Sequence, residues 1–164
     1  MSATSLKAEF HLCQEIKNKI DKEAGKYPVR QAAVKSALRY CQEKHGWISE
    51  AVVRAIADYL NLRAIEVYEV ATFYDMFYTQ PTGRHCLRVC TNVSCMLRGA
   101  EDIVNHIRST LNVECGGTSS DGRITLFESE CLGACGGAPM MICGDQYVEN
   151  ITADKVDALL AELE

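Results

Sequence analysis

The amino-acid sequence predicts an α+β protein in which a helical bundle, residues 1–80, precedes a small α/β domain, residues 81–164. Two observations predict this division. Apolar residues recur every three or four positions through most of the first range, as in amphipathic helices, whereas after residue 83 stretches of alternating apolar and polar residues appear between helical stretches. The segment Gln80-Pro-Thr-Gly83 lies between the two patterns. Because its composition is that of a turn, we place the domain boundary there.

The helical part is expected to contain four helices with one apolar face each. Gly25 is placed to end the first of them, and Pro28 suits the first turn of the second, where its missing N–H has no helical partner to lose. Ser49 can cap the third, and Asn61 ends it. The helices are predicted over residues 6–24, 28–44, 49–60 and 63–71.

An aromatic run, Ala71-Thr-Phe-Tyr-Asp-Met-Phe-Tyr-Thr79, follows the fourth helix. Aromatic side chains bury large areas, so the simpler interpretation is a packing surface in the core or between domains. The alternative is a docking surface for another subunit. Sequence alone favours packing and leaves the alternative open.

The second domain is predicted to place helices against a sheet. Its elements follow the order strand, helix, strand, hairpin, helix, which is typical of a layered α/β domain. The hairpin turns at Gly144-Asp145, and Thr152 can cap the last helix. The strands are expected over residues 84–90, 123–128, 140–143 and 146–149, and the first helix over 96–111.

Composition and charge exclude several classes of partner. Hydrophobic residues make up 48% of the chain and charged residues 24%, which argues against general disorder. The net charge is −5 and no basic stripe is present, so we expect no nucleic-acid partner. No apolar run reaches the length of a membrane span, and the amino-terminal residues lack the apolar core of a signal peptide. We therefore expect a protein of the cytoplasm with no direct membrane insertion.

Nine cysteines in such a protein indicate a metal or redox site rather than a disulfide framework. Two close pairs stand out, Cys90-Thr-Asn-Val-Ser-Cys95 and Cys131-Leu-Gly-Ala-Cys135. Each pair follows a predicted strand, so neighbouring strands would bring both loops to the same end of the sheet. Cys95, expected near a helix N-terminus, would have its thiolate favoured by the helix dipole.

Three chemistries suit four thiolates. A structural zinc ion accepts them, although its paired cysteines commonly have two residues between them, and here the gaps are four and three. A 2Fe-2S cluster is larger and suits wider loops, and the glycines at 133, 136 and 137 leave backbone N–H groups free to approach its sulfurs. A redox dithiol favours Cys-x-x-Cys, which is absent. The spacing favours iron–sulfur over zinc, and the dithiol least.

The remaining cysteines have plainer interpretations. Cys13 and Cys41 lie on predicted apolar helix faces as small hydrophobic residues. Cys86 and Cys143 fall within predicted strands, and Cys115 lies on a loop. Of these five, Cys115 is the one that could still serve a site.

The cysteine motif with its continuation, Cys131-Leu-Gly-Ala-Cys-Gly-Gly-Ala-Pro-Met-Met141, resembles the E subunit family of NADH-quinone oxidoreductase, respiratory complex I. Three further segments resemble the family's helical part and its junction: Gly46-Trp-Ile48, Val70-Ala-Thr-Phe-Tyr74 and Gly83-Arg-His85. Related subunits occur in NAD-reducing hydrogenases and NAD-dependent formate dehydrogenases.

The resemblance implies a thioredoxin-like ferredoxin domain carrying one 2Fe-2S cluster on Cys90, Cys95, Cys131 and Cys135. It implies an electron-transfer subunit of an oxidoreductase, with no catalytic residue of its own, whose partner is the subunit that binds FMN and NADH. That complex would lie on the cytoplasmic face of the membrane. The alternatives are the equivalent subunit of a hydrogenase or formate dehydrogenase and, less favoured, a zinc-stapled adaptor.

Overall fold

The structure is a computed structural model, and it describes residues 10–163. The chain divides into two compact units that meet in the sequence between Pro81 and Thr82. The first unit is helical and the second mixes helices with a sheet. Within the described residues, no helix is both long and apolar enough to cross a membrane.

Apolar side chains from the helices of the first unit meet in one core, and the largest fully buried members include Ile16, Ile20, Leu38 and Ile56. Ser49 caps the third helix as expected, since its Oγ accepts a hydrogen bond from the Val52 N–H at 3.3 Å. The helices are α1 (Gln14–Ala24), α2 (Val34–His45), α3 (Glu50–Leu60) and α4 (Ala64–Phe73).

The first helix starts later than its apolar periodicity predicts. Cys13 is the N-cap of α1 in an extended conformation, and residues 6–9 of the prediction lie outside the described part. Leu12 is buried, and the Phe10 ring packs edge-on against His45 at 4.9 Å between centroids. These contacts hold the segment before α1 in a non-helical path. Pro28 likewise precedes a 3-10 helix, Arg30–Ala33, rather than opening α2.

The aromatic run divides between core and surface. Phe77 is 6% exposed and packs in the core of the first unit, which agrees with the packing interpretation. Phe73 is 80% exposed and Met76 45% exposed, so part of the run faces solvent in this chain.

The second unit is built on a sheet with strand order β2-β1-β3-β4. The strands are β1 (His85–Cys90), β2 (Ile124–Ser129), β3 (Met140–Cys143) and β4 (Gln146–Glu149). β1 runs parallel to β2 and antiparallel to β3, and the hairpin of β3 and β4 turns where the sequence predicts it. Leu87, Ile124 and Leu126 are fully buried in the core of this unit. Its helices are α5 (Val93–Leu97), α6 (Ala100–Leu111) and α7 (Ala153–Glu162).

The structure has two helices where the sequence predicted one. The stretch expected as a single helix over 96–111 breaks at Gly99, whose φ of +87° is left-handed and cannot continue an α-helix. The preceding turn closes into the five-residue helix α5. Cys95 therefore lies inside a short helix instead of before a long one.

Candidate metal centre

The sheet topology brings the two cysteine loops to one edge. β1 and β2 are parallel, and Cys90, the last residue of β1, pairs with Ser129, the last residue of β2. Because parallel strands end at the same edge, the loop through Cys95 and the loop through Cys131 leave the sheet side by side. β3 returns from that edge, with Met141 opposite Val89. The structure thus has the strand arrangement that the sequence-based hypothesis requires.

The four thiols form two pairs, one buried and one exposed. Cys90 and Cys95 are 2% and 1% exposed and share a hydrogen bond. Cys131 and Cys135 are exposed, with their Sγ atoms 3.5 Å apart. Cys135 also interacts electrostatically with both buried thiols. The thiols of the two pairs therefore lie close enough to interact.

The surroundings of these thiols shift their pKa values in different directions. The Gly133 N–H lowers the pKa of Cys131, assisted by Cys135. The hydrogen bond to Cys131 raises the pKa of Cys135, although Ser94 acts in the opposite direction. Burial raises the pKa of Cys95. The hydrogen bond with Cys90 raises the pKa of Cys95 further, and a backbone hydrogen bond at Met140 lowers it. The effect of a helix dipole on the Cys95 thiolate stays a prediction.

Hydrogen bonds outside the thiols hold the two loops together. Asn92 caps α5, its Oδ1 accepting from the Val93 N–H at 2.8 Å, and its Nδ2 donates to Glu130 Oε2 at 2.6 Å. The Tyr147 hydroxyl donates to the Leu132 carbonyl at 2.9 Å, which ties β4 to the second loop. These residues were not among the sequence-based candidates. Asn92 could have been found, since asparagine is a preferred helix cap, but its contact with Glu130 is visible only in the folded chain.

Two glycines have specific roles in the loop that leads to β3. Gly133 has a left-handed φ of +85°, which an L side chain rarely adopts. A Cβ at Gly137 would come within 2.7 Å of the Cβ of Glu149, and the Gly137 carbonyl accepts from the Asn150 N–H at 2.6 Å. The Ala138–Pro139 peptide bond that follows is cis. The Gly137 backbone therefore lies directly against the Glu149 side chain and is hydrogen-bonded to the Asn150 backbone where the loop joins the hairpin.

The other cysteines lie apart from this group. Cys41 is buried, and desolvation raises its pKa to about 12. Cys115 is exposed and donates to Glu128 Oε1 at 2.9 Å. Cys86 and Cys143 are half-buried on β1 and β3, as expected. Cys13 packs partly buried against the core of the first unit, as expected of a small hydrophobic residue, and its Sγ also accepts a hydrogen bond from Lys44 Nζ at 3.2 Å.

The donor set suits a cluster of two irons. A 2Fe-2S cluster takes four thiolates, two at each iron. The paired thiols, with the exposed backbone of Gly136 and the left-handed turn at Gly133 beside them, match that requirement.

A family model described as thioredoxin-like [2Fe-2S] ferredoxin matches residues 20–164. The chain belongs to this family. Membership confirms the predicted thioredoxin-like fold and the predicted cofactor, one 2Fe-2S cluster.

Known proteins with related sequences carry consistent names. The chain is 43% identical over 145 residues to the E 2 subunit of NADH-quinone oxidoreductase from Rhizobium meliloti, covering 88% of this chain and 86% of that protein. It is 36% identical over 151 residues to the E subunit of NADH-quinone oxidoreductase from Pseudomonas aeruginosa, covering 92% and 91%. The resemblance drawn from the sequence motifs is confirmed.

A solved structure supports the fold. The chain superposes on an air-oxidised NAD+-reducing [NiFe]-hydrogenase with a TM-score of 0.67 and 19% identity, covering 77% of this chain and 22% of the hydrogenase chain. At that identity the likeness concerns the fold.

Proposed function

We propose that the chain is the electron-transfer subunit of an NADH:quinone oxidoreductase and holds one 2Fe-2S cluster on Cys90, Cys95, Cys131 and Cys135. The observation that supports this most directly is the grouping of these four thiols, in two pairs, at one edge of the sheet. The names of its relatives supply the class of reaction.

The chemistry that the cluster supplies when bound is the acceptance and donation of single electrons. The chain's own contribution is to hold the ligands. Cys90 and Cys95 provide thiolates from a buried position, and Cys131 and Cys135 provide them at the surface. Backbone N–H groups beside the sulfurs, such as that of Gly133, stabilise negative charge there.

No residue needs to act as an acid, base or nucleophile in this role. We expect the isolated chain to lack NADH activity, and we place FMN and NADH on a larger partner subunit of the same complex. Relatives named as subunits support a role within a multisubunit assembly. We place that assembly at the cytoplasmic face of the membrane, without insertion of this chain and without a nucleic-acid partner.

Spectroscopy of the purified full chain tests the cluster. After anaerobic reconstitution with iron and sulfide, we expect about two iron atoms per chain. We also expect an electron paramagnetic resonance signal that appears on reduction with dithionite. A colourless protein with stoichiometric zinc and no such signal would support the zinc-stapled adaptor instead.

A second candidate function is that of the equivalent subunit in an NAD-dependent hydrogenase or formate dehydrogenase. The support for it is limited to the similarity of fold to the NAD+-reducing hydrogenase. Purification of the tagged chain from its native cell separates the candidates. Co-elution with quinone-reductase subunits supports the proposal, whereas co-elution with hydrogenase or formate dehydrogenase subunits supports the second candidate.

A further inference from the structure

Helix α5 turns large apolar side chains toward solvent. Val93 is 57% exposed, Met96 52% and Leu97 77%. Their spacing places them on one face of the helix, because positions three and four apart are neighbours on a helix surface. Cys95 of the same helix is buried. We call Val93, Met96 and Leu97 the α5 face.

The α5 face lies beside the exposed thiol pair. The Ser94 side chain, within α5, hydrogen-bonds the Cys135 thiol. Asn92, the cap of α5, is bound to Glu130, which directly precedes Cys131. A protein that covers the α5 face would therefore also lie beside the two surface sulfurs.

The rim of the α5 face is acidic. Met96 shares a groove of about 230 Å³ with Glu101 and Glu128, and Glu130 is tied to the cap of α5. Arg98 adds one positive charge at the end of the helix. Arg108, in the same groove, is ion-paired with Glu114. The three carboxylates thus outnumber the two guanidinium groups beside them, one of which is already ion-paired.

We propose that the α5 face, rimmed by Glu101, Glu128 and Glu130, is the surface on which this chain docks to its electron donor. The donor is the FMN- and NADH-binding subunit, and its facing surface carries apolar side chains ringed by lysine and arginine. This inference rests on the proposed function. A second copy of this chain is disfavoured as the occupant, since it would set one acidic rim against another.

A charge placed in the apolar centre tests the proposal. We compare Leu97→Glu with Val29→Glu, because both replace a side chain more than half exposed, the second in the other compact unit. Each full-length variant is reconstituted with its cluster and mixed with the purified FMN- and NADH-binding subunit of the same organism. We expect Leu97→Glu to raise the Kd at least about tenfold and Val29→Glu to leave it within about twofold. Met96→Glu should repeat the effect of Leu97→Glu.

A second pair of variants tests the rim. Glu101 and Asp154 both lie in the first turn of a helix, so Glu101→Lys and Asp154→Lys disturb their helix dipoles alike. At low salt we expect Glu101→Lys to slow association with the FMN- and NADH-binding subunit several-fold, and Asp154→Lys to leave the association rate unchanged. The difference should shrink at high ionic strength, because salt screens exposed charges.

Two spectra distinguish the possible failures. Dithionite reduction reports the cluster itself, and NADH reduction in the mixture reports transfer across the interface. If the wild-type chain shows no dithionite signal, the proposed function fails. If it shows that signal but Leu97→Glu and Met96→Glu bind and accept electrons like wild type, or if Val29→Glu loses binding equally, the docking surface is overturned and the proposed function stands.

Discussion

Asn92 and Glu130 join the two loops of the candidate centre through a hydrogen bond of 2.6 Å. Asn92 lies between the buried cysteines in the sequence, and Glu130 directly precedes the exposed pair. Asn92 also caps α5 with its other side-chain atom. The Asn92 side-chain amide therefore both caps α5 and links the two cysteine loops.

Replacing Asn92 should loosen the centre. Asn92→Ala removes both the cap and the link, and loss of a helix cap costs about 1 kcal/mol. We expect a lower unfolding midpoint and faster loss of cluster absorbance in urea. Asn92→Ser is the matched control, since it keeps a capping oxygen without the Nδ2 donor. Equal behaviour of Asn92→Ala and wild type would show that the link does not support the loops.

The close packing at Gly137 predicts a contrast between adjacent glycines. An added Cβ at Gly137 meets the Glu149 side chain, whereas one at Gly136 meets nothing within 4 Å. We expect Gly137→Ala to lower the free energy of unfolding by about 1–3 kcal/mol, as overpacking does, and Gly136→Ala to change it by less than about 0.5 kcal/mol. Urea denaturation followed by circular dichroism measures both. Similar losses in the two variants would contradict this account.

Replacing a proposed ligand cysteine should remove the cluster signal, whereas replacing a cysteine outside the centre should not. Cys95→Ser and Cys131→Ser each remove one proposed ligand, one from the buried pair and one from the exposed pair, and should abolish or strongly weaken the paramagnetic resonance signal. Cys13→Ser should leave the signal and the iron content unchanged. A lost signal in Cys13→Ser would show that the ligands are assigned wrongly.

A buried and an exposed leucine in the second unit test what its core contributes. Leu87 on β1 is fully buried, and Leu97 on α5 is 77% exposed. Leu87→Ala should cost about 2–5 kcal/mol, because it removes apolar contacts and leaves a cavity. Leu97→Ala should cost less than about 0.5 kcal/mol. Thermal unfolding of both variants checks the prediction, which fails if the two costs are alike.

Cys13 and Cys115, both outside the centre, should differ in their rates of alkylation. The less exposed thiol, Cys13, should react faster. The Ile16 N–H, and then the Lys44 ammonium, lower the pKa of Cys13. Burial, with the carboxylate of Glu128, raises the pKa of Cys115 to about 11. A lowered pKa means more thiolate at neutral pH, so iodoacetamide should modify half-buried Cys13 faster than exposed Cys115 at about pH 7.

Mass spectrometry of the alkylated peptides measures both rates. As the pH is raised, the rate of alkylation of Cys115 should increase at higher pH values than the rate of alkylation of Cys13. Lys44→Met should slow Cys13, because it removes the ammonium that stabilises the thiolate, and should leave Cys115 unaffected. Faster modification of Cys115 at neutral pH would contradict the order.

Local signals in the sequence predicted the elements with local causes. Ser49 caps α3, and the Gly144-Asp145 turn closes the hairpin, because a cap or a tight turn depends on a few consecutive residues. Prediction failed where distant contacts decide. The contact of Phe10 with His45 holds the segment before α1, and these residues are 35 positions apart. A second failure had a local cause: apolar periodicity continues across Gly99, but the left-handed backbone at Gly99 ends the helix.

The sequence by itself determined the candidate ligands: two close pairs of cysteines, with glycines beside the second pair. Only the tertiary structure decided that β1 and β2 lie parallel and adjacent, that one thiol pair is buried and the other exposed, and that the α5 face borders the exposed pair. The physical reason is that the identity of a ligand is a property of one side chain. Its neighbours, burial and solvent access depend on strand pairing between residues far apart in the chain, which no local pattern encodes.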